Sequence, residues 1–230
     1  MAQQLIINFH GIGSPHSGVD ASEKPYWMSA ENMSRIFKRV ADIKSDLRRS
    51  SSLPEILITF DDGNRSDLTL ALPELVKNGL TAKFFVCAGR MSDPNYLDKA
   101  AIRELQSAGM GIGNHGRSQR NLTTLSYAEL EDEISTAGDE LSQITGQDCS
   151  EVALPFGAYN RKVLKWLQSK RLSCIYTSDR GTTDSALRIK ARESITGQMA
   201  NMAMPDLLLE GRTLPKYLRR KVVTTIKRWR

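Results

Sequence analysis

The feature of the sequence that most limits its fold is an alternation of short apolar runs with longer helical segments. Apolar runs such as 5–9, 55–60 and 174–177 have the length of buried strands. Between such runs lie segments with apolar residues at helical spacing, the clearest at 30–47 and 126–144, and a further helix is predicted at 94–107. One strand and one helix recur roughly every 25–30 residues, which is typical of βαβ units around a parallel sheet.

The composition is that of an ordinary globular protein. Of the 230 residues, 40% are hydrophobic and 25% are charged, which excludes collagen-like, low-complexity and wholly disordered chains. A chain of this length can bury a full-size core as one domain without disulfide or metal staples. The three cysteines are odd in number and widely spaced, so they fit neither a disulfide framework nor a cysteine zinc site.

No export or membrane-spanning signal is recognisable in the sequence. Residues 1–10 lack a basic start, and their three-residue apolar run is too short for a signal peptide. No stretch approaches the roughly 18–20 apolar residues that cross a bilayer. We therefore expect a cytoplasmic protein with reduced cysteines.

The formal net charge of +6 comes from one end of the chain. Eight of the 32 lysines and arginines lie at 211–230, where no acidic residue occurs, so 24 basic residues face 26 acidic ones in the first 210 residues. The main domain is therefore nearly neutral. Because only 7% of the residues are aromatic as well, we do not expect the protein to bind nucleic acid.

Residues able to support chemistry stand at the ends of predicted strands. His10 follows the first strand, and Asp61 and Asp62 follow the second. A third predicted strand end carries His115. Parallel α/β folds concentrate their chemistry at the carboxyl ends of strands. Adjacent carboxylates repel each other unless a proton or a cation relieves them, which favours a metal beside a base, although a simple Asp-Gly turn is the alternative.

Four segments resemble the motifs of the polysaccharide deacetylases, carbohydrate esterase family four. Residues 59–63 (TFDDG) match the first motif, and residues 114–119 (NHGRSQ) resemble the second. Residues 154–160 (LPFGAYN) and 8–12 (NFHGI) resemble the third motif and the N-terminal segment of the branch that acts on exopolysaccharides. The segments occur in the family's order and span about residues 5–195.

The resemblance implies an α/β fold, a distorted (β/α) barrel, for which we expect seven parallel strands. We expect the barrel at residues 1–210 and a basic amphipathic helix at 211–230 as part of the same domain. The resemblance also implies a hydrolase that uses a divalent metal, above all zinc, to remove N- or O-acetyl groups from a sugar or polysaccharide precursor. The expected partner is an acetylated saccharide, with nucleotide-linked and lipid-linked forms included.

The same resemblance assigns roles to individual residues. Asp61 matches the catalytic base, and His10 matches the general acid of this branch. Asp62 and His115 match metal ligands. In such a site the metal polarises the acetyl carbonyl and acidifies its bound water, the base takes the proton, and the acid protonates the departing nitrogen.

The third motif supplies the expected oxyanion contacts. The backbone N–H of Phe156 matches the donor to the tetrahedral oxyanion, with Pro155 beside it at the substrate. Arg192 matches an arginine that stands near the base in this branch.

One position departs from the family's pattern. Gln119 stands four residues after His115, where the second metal histidine is usual. A neutral amide oxygen is a weaker zinc ligand than imidazole. Three outcomes are open: Gln119 ligates weakly, another residue such as His16 replaces it, or the protein binds no metal and is inactive.

Two further functions and two roles for the end of the chain stay open. The rival functions are a catalytically inactive saccharide-binding relative and a hydrolase of another non-peptide C–N bond. Residues 213–230 form a predicted helix with one apolar face and many basic residues. Such a helix either packs on the barrel or lies against an anionic membrane, here the inner face, in peripheral contact.

Overall fold

The structure is a computed structural model that describes residues 3–47, 54–199, 224, 225 and 227. Its centre is one curved sheet in the strand order β7-β1-β2-β3-β4-β5-β6-β8, with β9 beside β1. All described pairings are parallel except that of β7 with β1. The strands are β1 (Gln3–Phe9), β2 (Glu55–Phe60), β3 (Lys83–Val86), β4 (Gly111–Asn114), β5 (Glu151–Ala153), β6 (Cys174–Thr177), β7 (Thr183–Asp184), β8 (Ile189–Ala191) and β9 (Glu193–Ser194).

Helices connect most of the successive parallel strands, as the alternating pattern predicts. The α-helices are α1 (Ala30–Leu47), α2 (Leu72–Lys77), α3 (Lys99–Ser107), α4 (Tyr127–Leu130), α5 (Ala137–Thr145) and α6 (Arg161–Gln168). The helix predicted at 126–144 is one helical run with a π-helical insertion, Glu131–Thr136, between α4 and α5. Its predicted start is confirmed, because the Ser126 and Glu129 side chains each bond the other's backbone N–H in a capping box.

One predicted helix begins later than its apolar pattern suggests. The segment 94–107 is helical only from Lys99, because the Asp98 carboxylate accepts a hydrogen bond of 2.8 Å from the Ala101 N–H and caps the helix there. The preceding residues instead form a turn, and Leu97 is buried against the core.

A short segment near residue 192 brings the two edges of the sheet together. β8 pairs with β6, and β9, only one residue further on, pairs with β1. The chain therefore crosses from the last strand of the sheet to the first, and the sheet becomes a nearly closed barrel. The predicted distorted (β/α) barrel is confirmed. Among the described residues the seven strands β1 to β6 and β8 form the parallel array, and the two-residue strand β9 adds an eighth parallel strand beside β1. Within the described residues, the two-residue strands β7 and β9 were not predicted.

Strand alternation divides the buried side chains into two layers. On β1, Phe9 faces the helices and stacks on Phe60 with ring centroids 5.3 Å apart, while Phe60 stacks on Phe84 at 4.7 Å. Ile6 faces the other way and packs with Phe85 and other small and aromatic side chains inside the barrel. The same alternation puts every second residue of a strand into the barrel interior, so polar side chains near strand ends can meet there.

The predicted basic helix at 211–230 lies outside the described residues, apart from residues 224, 225 and 227. Of these, Lys227 forms an ion pair of 3.0 Å with Asp179 and donates to the Gly157 carbonyl at 3.2 Å. These contacts join this part of the chain to the loops at the carboxyl end of the barrel. Among the described helices, none is both long enough and apolar enough to cross a membrane.

A fully buried ion pair holds the closing segment of the barrel to β2. The guanidinium of Arg192 donates to both carboxylate oxygens of Asp61 at 2.7 Å, and the two side chains are 0% and 4% exposed. Asp61 directly follows β2, whereas Arg192 lies between β8 and β9. The pair therefore connects residues that are 131 positions apart in the chain.

We predict that Arg192→Met destabilises the protein by about 3–5 kcal/mol, because it leaves the Asp61 carboxylate buried without its partner. The double variant Asp61→Leu/Arg192→Met removes both charges and should recover a large part of that loss. Urea unfolding followed by circular dichroism measures both free energies of unfolding. A double variant no more stable than Arg192→Met would contradict this account.

A second buried carboxyl has no such partner. Asp67 is 0% exposed, and neither of its carboxylate oxygens has a hydrogen-bond partner among the described residues. Burial, assisted by the nearby charges of Asp62 and Asp61, raises the pKa of Asp67 well above its ordinary value of 3.8. The carboxyl is therefore neutral in the folded protein at moderately acidic pH, whereas it is ionised in the unfolded chain.

We predict that Asp67→Asn becomes more stabilising, relative to the unsubstituted chain, as the pH rises. Well below about pH 4, Asp67 is protonated in both the folded and the unfolded protein, so it adds no pH dependence to the free energy of unfolding. Above that pH only the unfolded chain releases the proton, so folding loses up to about 1.4 kcal/mol per pH unit until the folded carboxyl also ionises. Urea unfolding of both proteins at pH 5 and pH 7 tests this, and an unchanged difference would refute it.

Candidate active site

An open cleft of about 340 Å³ lies at the carboxyl end of the barrel strands. Five residues singled out in the sequence line it, namely His10, Asp61, His115, Gln119 and Phe156. The remaining lining residues are Ser22, Glu23, Tyr26, Leu154, Ser178, Arg180 and Ser194. The site predicted from strand ends is therefore one place in the fold, although its members are far apart in the sequence.

Asp61 is held in one orientation by three hydrogen bonds from two polar neighbours. Besides the two bonds from Arg192, the Asn8 amide donates to Asp61 Oδ2 at 3.0 Å. Asn8 is itself fixed, because its Oδ1 accepts from Thr59 Oγ1 at 2.8 Å and from Arg192 at 2.9 Å. Burial alone would raise the pKa of Asp61, but the charge of Arg192, with smaller effects of the histidines, brings that pKa well below its usual range. The carboxylate is ionised and oriented.

The turn after β2 directs the second carboxylate into the same site. Asp62 and Gly63 both adopt left-handed backbone conformations, with φ of 77° and 71°. Aspartate tolerates this region better than most residues, and a side chain at Gly63 would meet Val86 at 3.0 Å. This sharp reversal places Asp62 Oδ1 3.4 Å from the Nε2 atom of His115.

His115 turns one defined nitrogen towards the two aspartates. Its Nδ1 lies 3.0 Å from the carbonyl of Ala153 and donates to it, which leaves Nε2 facing Asp62 at 3.4 Å and Asp61 at 4.0 Å. Burial lowers the pKa of His115, but the two carboxylates outweigh that effect and raise it above its ordinary value. This shift favours the charged form of the imidazole, which balances part of the negative charge of the pair.

His10 occupies the same cleft in a different electrostatic state. Its ring lies 4.8 Å from that of Tyr26, and its Nδ1 is buried without a hydrogen-bond partner among the described residues. Burial lowers the pKa of His10 below its ordinary value of 6.5, and the charges of Asp62 and Asp61 offset this only in part. His10 is therefore neutral at pH 7.

The third motif forms one wall of the cleft through a strained turn. Phe156 is left-handed, with φ of 57°, and its side chain is largely exposed, whereas Pro155 is buried behind it. A Cβ atom at Gly157 would lie 2.7 Å from Ser178, so this backbone packs closely against the loop after β6. The turn therefore presents the Phe156 backbone and ring at the cleft.

Gln119 is in the site, but its amide presents the wrong group for a metal ligand. Its Nε2 donates to Asp62 Oδ1 at 2.6 Å, and its Oε1 accepts from the Arg90 guanidinium at 2.5 Å. A guanidinium can only donate hydrogen bonds, so the amide atom facing Arg90 must be the oxygen. The N–H₂ group therefore faces Asp62, in the position where a third ligand atom would be needed.

The donor set therefore does not fit a three-ligand zinc site. Asp62 and His115 offer suitable atoms, but Gln119 does not. Across residues 3–47 and 54–199, no group of three or more His, Cys, Asp and Glu side chains is arranged to hold a metal ion. His16 belongs to no such group either: its Nδ1 accepts from the Gly18 N–H and its ring packs 5.3 Å from that of Tyr96, while its Nε2 is buried without a hydrogen-bond partner among the described residues.

Sequence reasoning missed three polar residues of this region. Asn8 was not singled out, although strand alternation puts it inside the barrel. Arg90 lies in the turn after β3 and therefore follows the same strand-end rule that selected the aspartates. Glu23, which lines the cleft, belongs to the long loop after β1 and has no sequence signal that distinguishes it from other loop residues.

Solved structures with the same fold support this architecture. Streptococcus pyogenes deacetylase PplD in complex with acetate is 20% identical, and the match covers 91% of this chain and 97% of that one with a TM-score of 0.74. IcaB from Ammonifex degensii is 17% identical, with 90% and 98% coverage and a TM-score of 0.69. At these identities the likeness shows the fold alone.

Sequence comparisons identify relatives for the central part of the chain. Peptidoglycan-N-acetylmuramic acid deacetylase PdaA of Bacillus subtilis is 34% identical over 119 residues, which are 51% of this chain and 43% of PdaA. Chitooligosaccharide deacetylase of Azorhizobium caulinodans is 30% identical over 118 residues, 51% of this chain and 55% of that protein. The chain thus spans about half the length of these relatives. The polysaccharide deacetylase family model matches residues 48–175, more than half of the sequence, and the chain belongs to that family.

Proposed function

We propose that this protein hydrolyses an acetyl group, foremost an N-acetyl group, from a saccharide. Membership of the polysaccharide deacetylase family supports the reaction class. The observation that carries the proposal is the ionised Asp61 carboxylate, held by Arg192 and facing an open cleft that also contains His10 and Phe156. A buried carboxylate with a fixed orientation is suited to take a proton from water at a defined place.

The proposed reaction adds water to the acetyl carbonyl and breaks the bond from carbon to nitrogen. Asp61 removes a proton from the attacking water as the new C–O bond forms. The Phe156 N–H donates a hydrogen bond to the oxyanion that develops on the carbonyl oxygen. The proton that Asp61 has taken then moves by way of His10, which is neutral at the start, to the departing nitrogen. The carbon–nitrogen bond breaks, Asp61 and His10 return to their starting states, and acetic acid and an amine are released.

The cleft chemistry also supports a saccharide as the substrate. Its rim carries the hydroxyl groups of Ser22, Ser178 and Ser194, which can bond to sugar hydroxyls. Phe156 is 57% exposed and offers an apolar ring face at the same opening. The two relatives, a peptidoglycan-N-acetylmuramic acid deacetylase and a chitooligosaccharide deacetylase, agree with an acetylated amino sugar as the substrate.

Divalent metal binding is the weakest part of the family pattern here. Asp62 and His115 are the residues that would contact an ion such as zinc. Catalytic zinc usually has three protein ligands, and the N–H₂ group of Gln119 cannot be one of them. We therefore expect weak metal binding, and the proton transfers proposed above use only groups of the protein.

The orientation of Gln119 favours a second candidate, a relative that binds acetylated saccharides without hydrolysing them. Such a protein would keep the cleft and its sugar contacts but would not activate water efficiently. The two candidates differ in one measurable quantity, the release of acetate from a bound saccharide.

We predict that Asp61→Asn lowers acetate release from N-acetylated oligosaccharides at least about 100-fold, since removing a positioned base typically costs a factor of 10²–10⁴. Asp42→Asn, at an exposed position on α1, is the matched control and should release acetate like the unsubstituted protein. An enzymatic acetate assay at saturating substrate gives the rates, and circular dichroism checks the fold.

Calorimetric titration with the same oligosaccharides separates the two candidates. Binding together with acetate release that depends on Asp61 supports the deacetylase. Binding without any release by the unsubstituted protein supports the second candidate, and release unaffected by Asp61→Asn would exclude Asp61 as the base.

A further inference from the structure

The two buried aspartates of the cleft are each connected to an arginine, but in different ways. Asp61 bonds Arg192 directly through two contacts of 2.7 Å. Asp62 is connected to Arg90 through the amide of Gln119, with steps of 2.6 Å and 2.5 Å. Asp62 and Gln119 are 3% and 8% exposed, so water can do little to neutralise this side of the site.

The position of Arg90 is held by contacts independent of Gln119. Its guanidinium lies over the ring of Tyr96, 4.8 Å from the ring centroid, in a cation–π contact. Its second terminal nitrogen, NH1, is buried and has no hydrogen-bond partner among the described residues. A buried donor without a partner is unfavourable, so we infer that the nearby negative charge of Asp62 stabilises the guanidinium in this position.

We propose that Arg90 and Gln119 act together as a built-in substitute for the cation at Asp62, and that they keep divalent ions from binding tightly there. The amide hydrogen bond occupies Asp62 Oδ1, the carboxylate oxygen that faces His115 Nε2 at 3.4 Å and that an ion held between these two residues would contact. Rotating the amide to offer its oxygen would turn its N–H₂ group towards Arg90, donor against donor. The guanidinium also repels an incoming dication across a site with little solvent.

This inference extends the proposed function, because it concerns the same cleft, but it can fail separately from it. If Gln119 were only a weak metal ligand, Gln119→His alone would be enough to restore tight metal binding. With Arg90 in place, an imidazole at position 119 would still face the guanidinium, so both residues must change before three ligands can gather around an ion.

The test is a thermodynamic cycle on zinc affinity, measured without substrate. Zinc dissociation constants are obtained by competition with a chromophoric chelator, and cobalt absorption spectra report how many protein ligands bind. The set consists of the unsubstituted protein, Gln119→His, Arg90→Met and the double variant. The hydrogen bonds that run from Arg90 through Gln119 to Asp62 are called the relay below. Arg120→Met is the matched control, because it removes a neighbouring cation that pairs with Glu129 and is not part of the relay.

We expect Gln119→His alone to change zinc affinity by no more than a few-fold. The double variant should bind at least about 100-fold more tightly than the unsubstituted protein, a gain of about 2.7 kcal/mol. Arg120→Met should leave the affinity unchanged. His115→Ala in the double variant should abolish the gain, which assigns the bound ion to this site.

Three results would overturn the proposal. They are tight zinc binding by the unsubstituted protein, full recovery by Gln119→His alone, or a gain in the double variant that survives His115→Ala. If Arg90→Met does not fold, as judged by circular dichroism, Arg90→Gln removes the charge while keeping a polar side chain and completes the same cycle. Because acetate release is not measured here, the proposed deacetylase activity and the proposed role of the relay can fail independently of each other.

Discussion

The buried ion pair between Arg192 and Asp61 is the interaction on which the rest of the structure depends. It joins the closing segment of the barrel to the end of β2, so the sheet cannot close in this register without bringing the guanidinium to the carboxylate. Because both groups are almost fully buried, each would be costly without the other. The contact that closes the barrel is therefore also the contact that keeps the candidate base ionised.

The charges of the cleft follow from the same constraint. Two neighbouring aspartates are both ionised in a buried site, which requires cations close by. Arg192 serves the first directly, whereas His115 and the relay from Arg90 through Gln119 serve the second. The protein thus balances its carboxylates with its own side chains.

Much of the fold and part of the site could be predicted from sequence patterns. Apolar runs with helical segments between them indicated a parallel α/β barrel, and TFDDG after a buried strand located the two aspartates. The start of α3 was misplaced because one capping carboxylate, that of Asp98, outweighed the apolar pattern around it. Two-residue strands such as β7 and β9 have too few residues to show any period, so only their partners on β1 reveal them.

The sequence by itself determined which chemical groups stand at the strand ends, because local periodicity places strands and their final residues. Through its resemblance to the family's second motif, it also put Gln119 at the position where a second histidine is usual. Only the tertiary structure decided what that glutamine does, since the direction of its amide is set by Arg90, a residue 29 positions away with no motif of its own. The place of His16 likewise needed three dimensions: among the described residues it is part of no group of three side chains that could hold a metal ion. Hydrogen-bond direction depends on what lies opposite in space, and spacing along the chain does not record it.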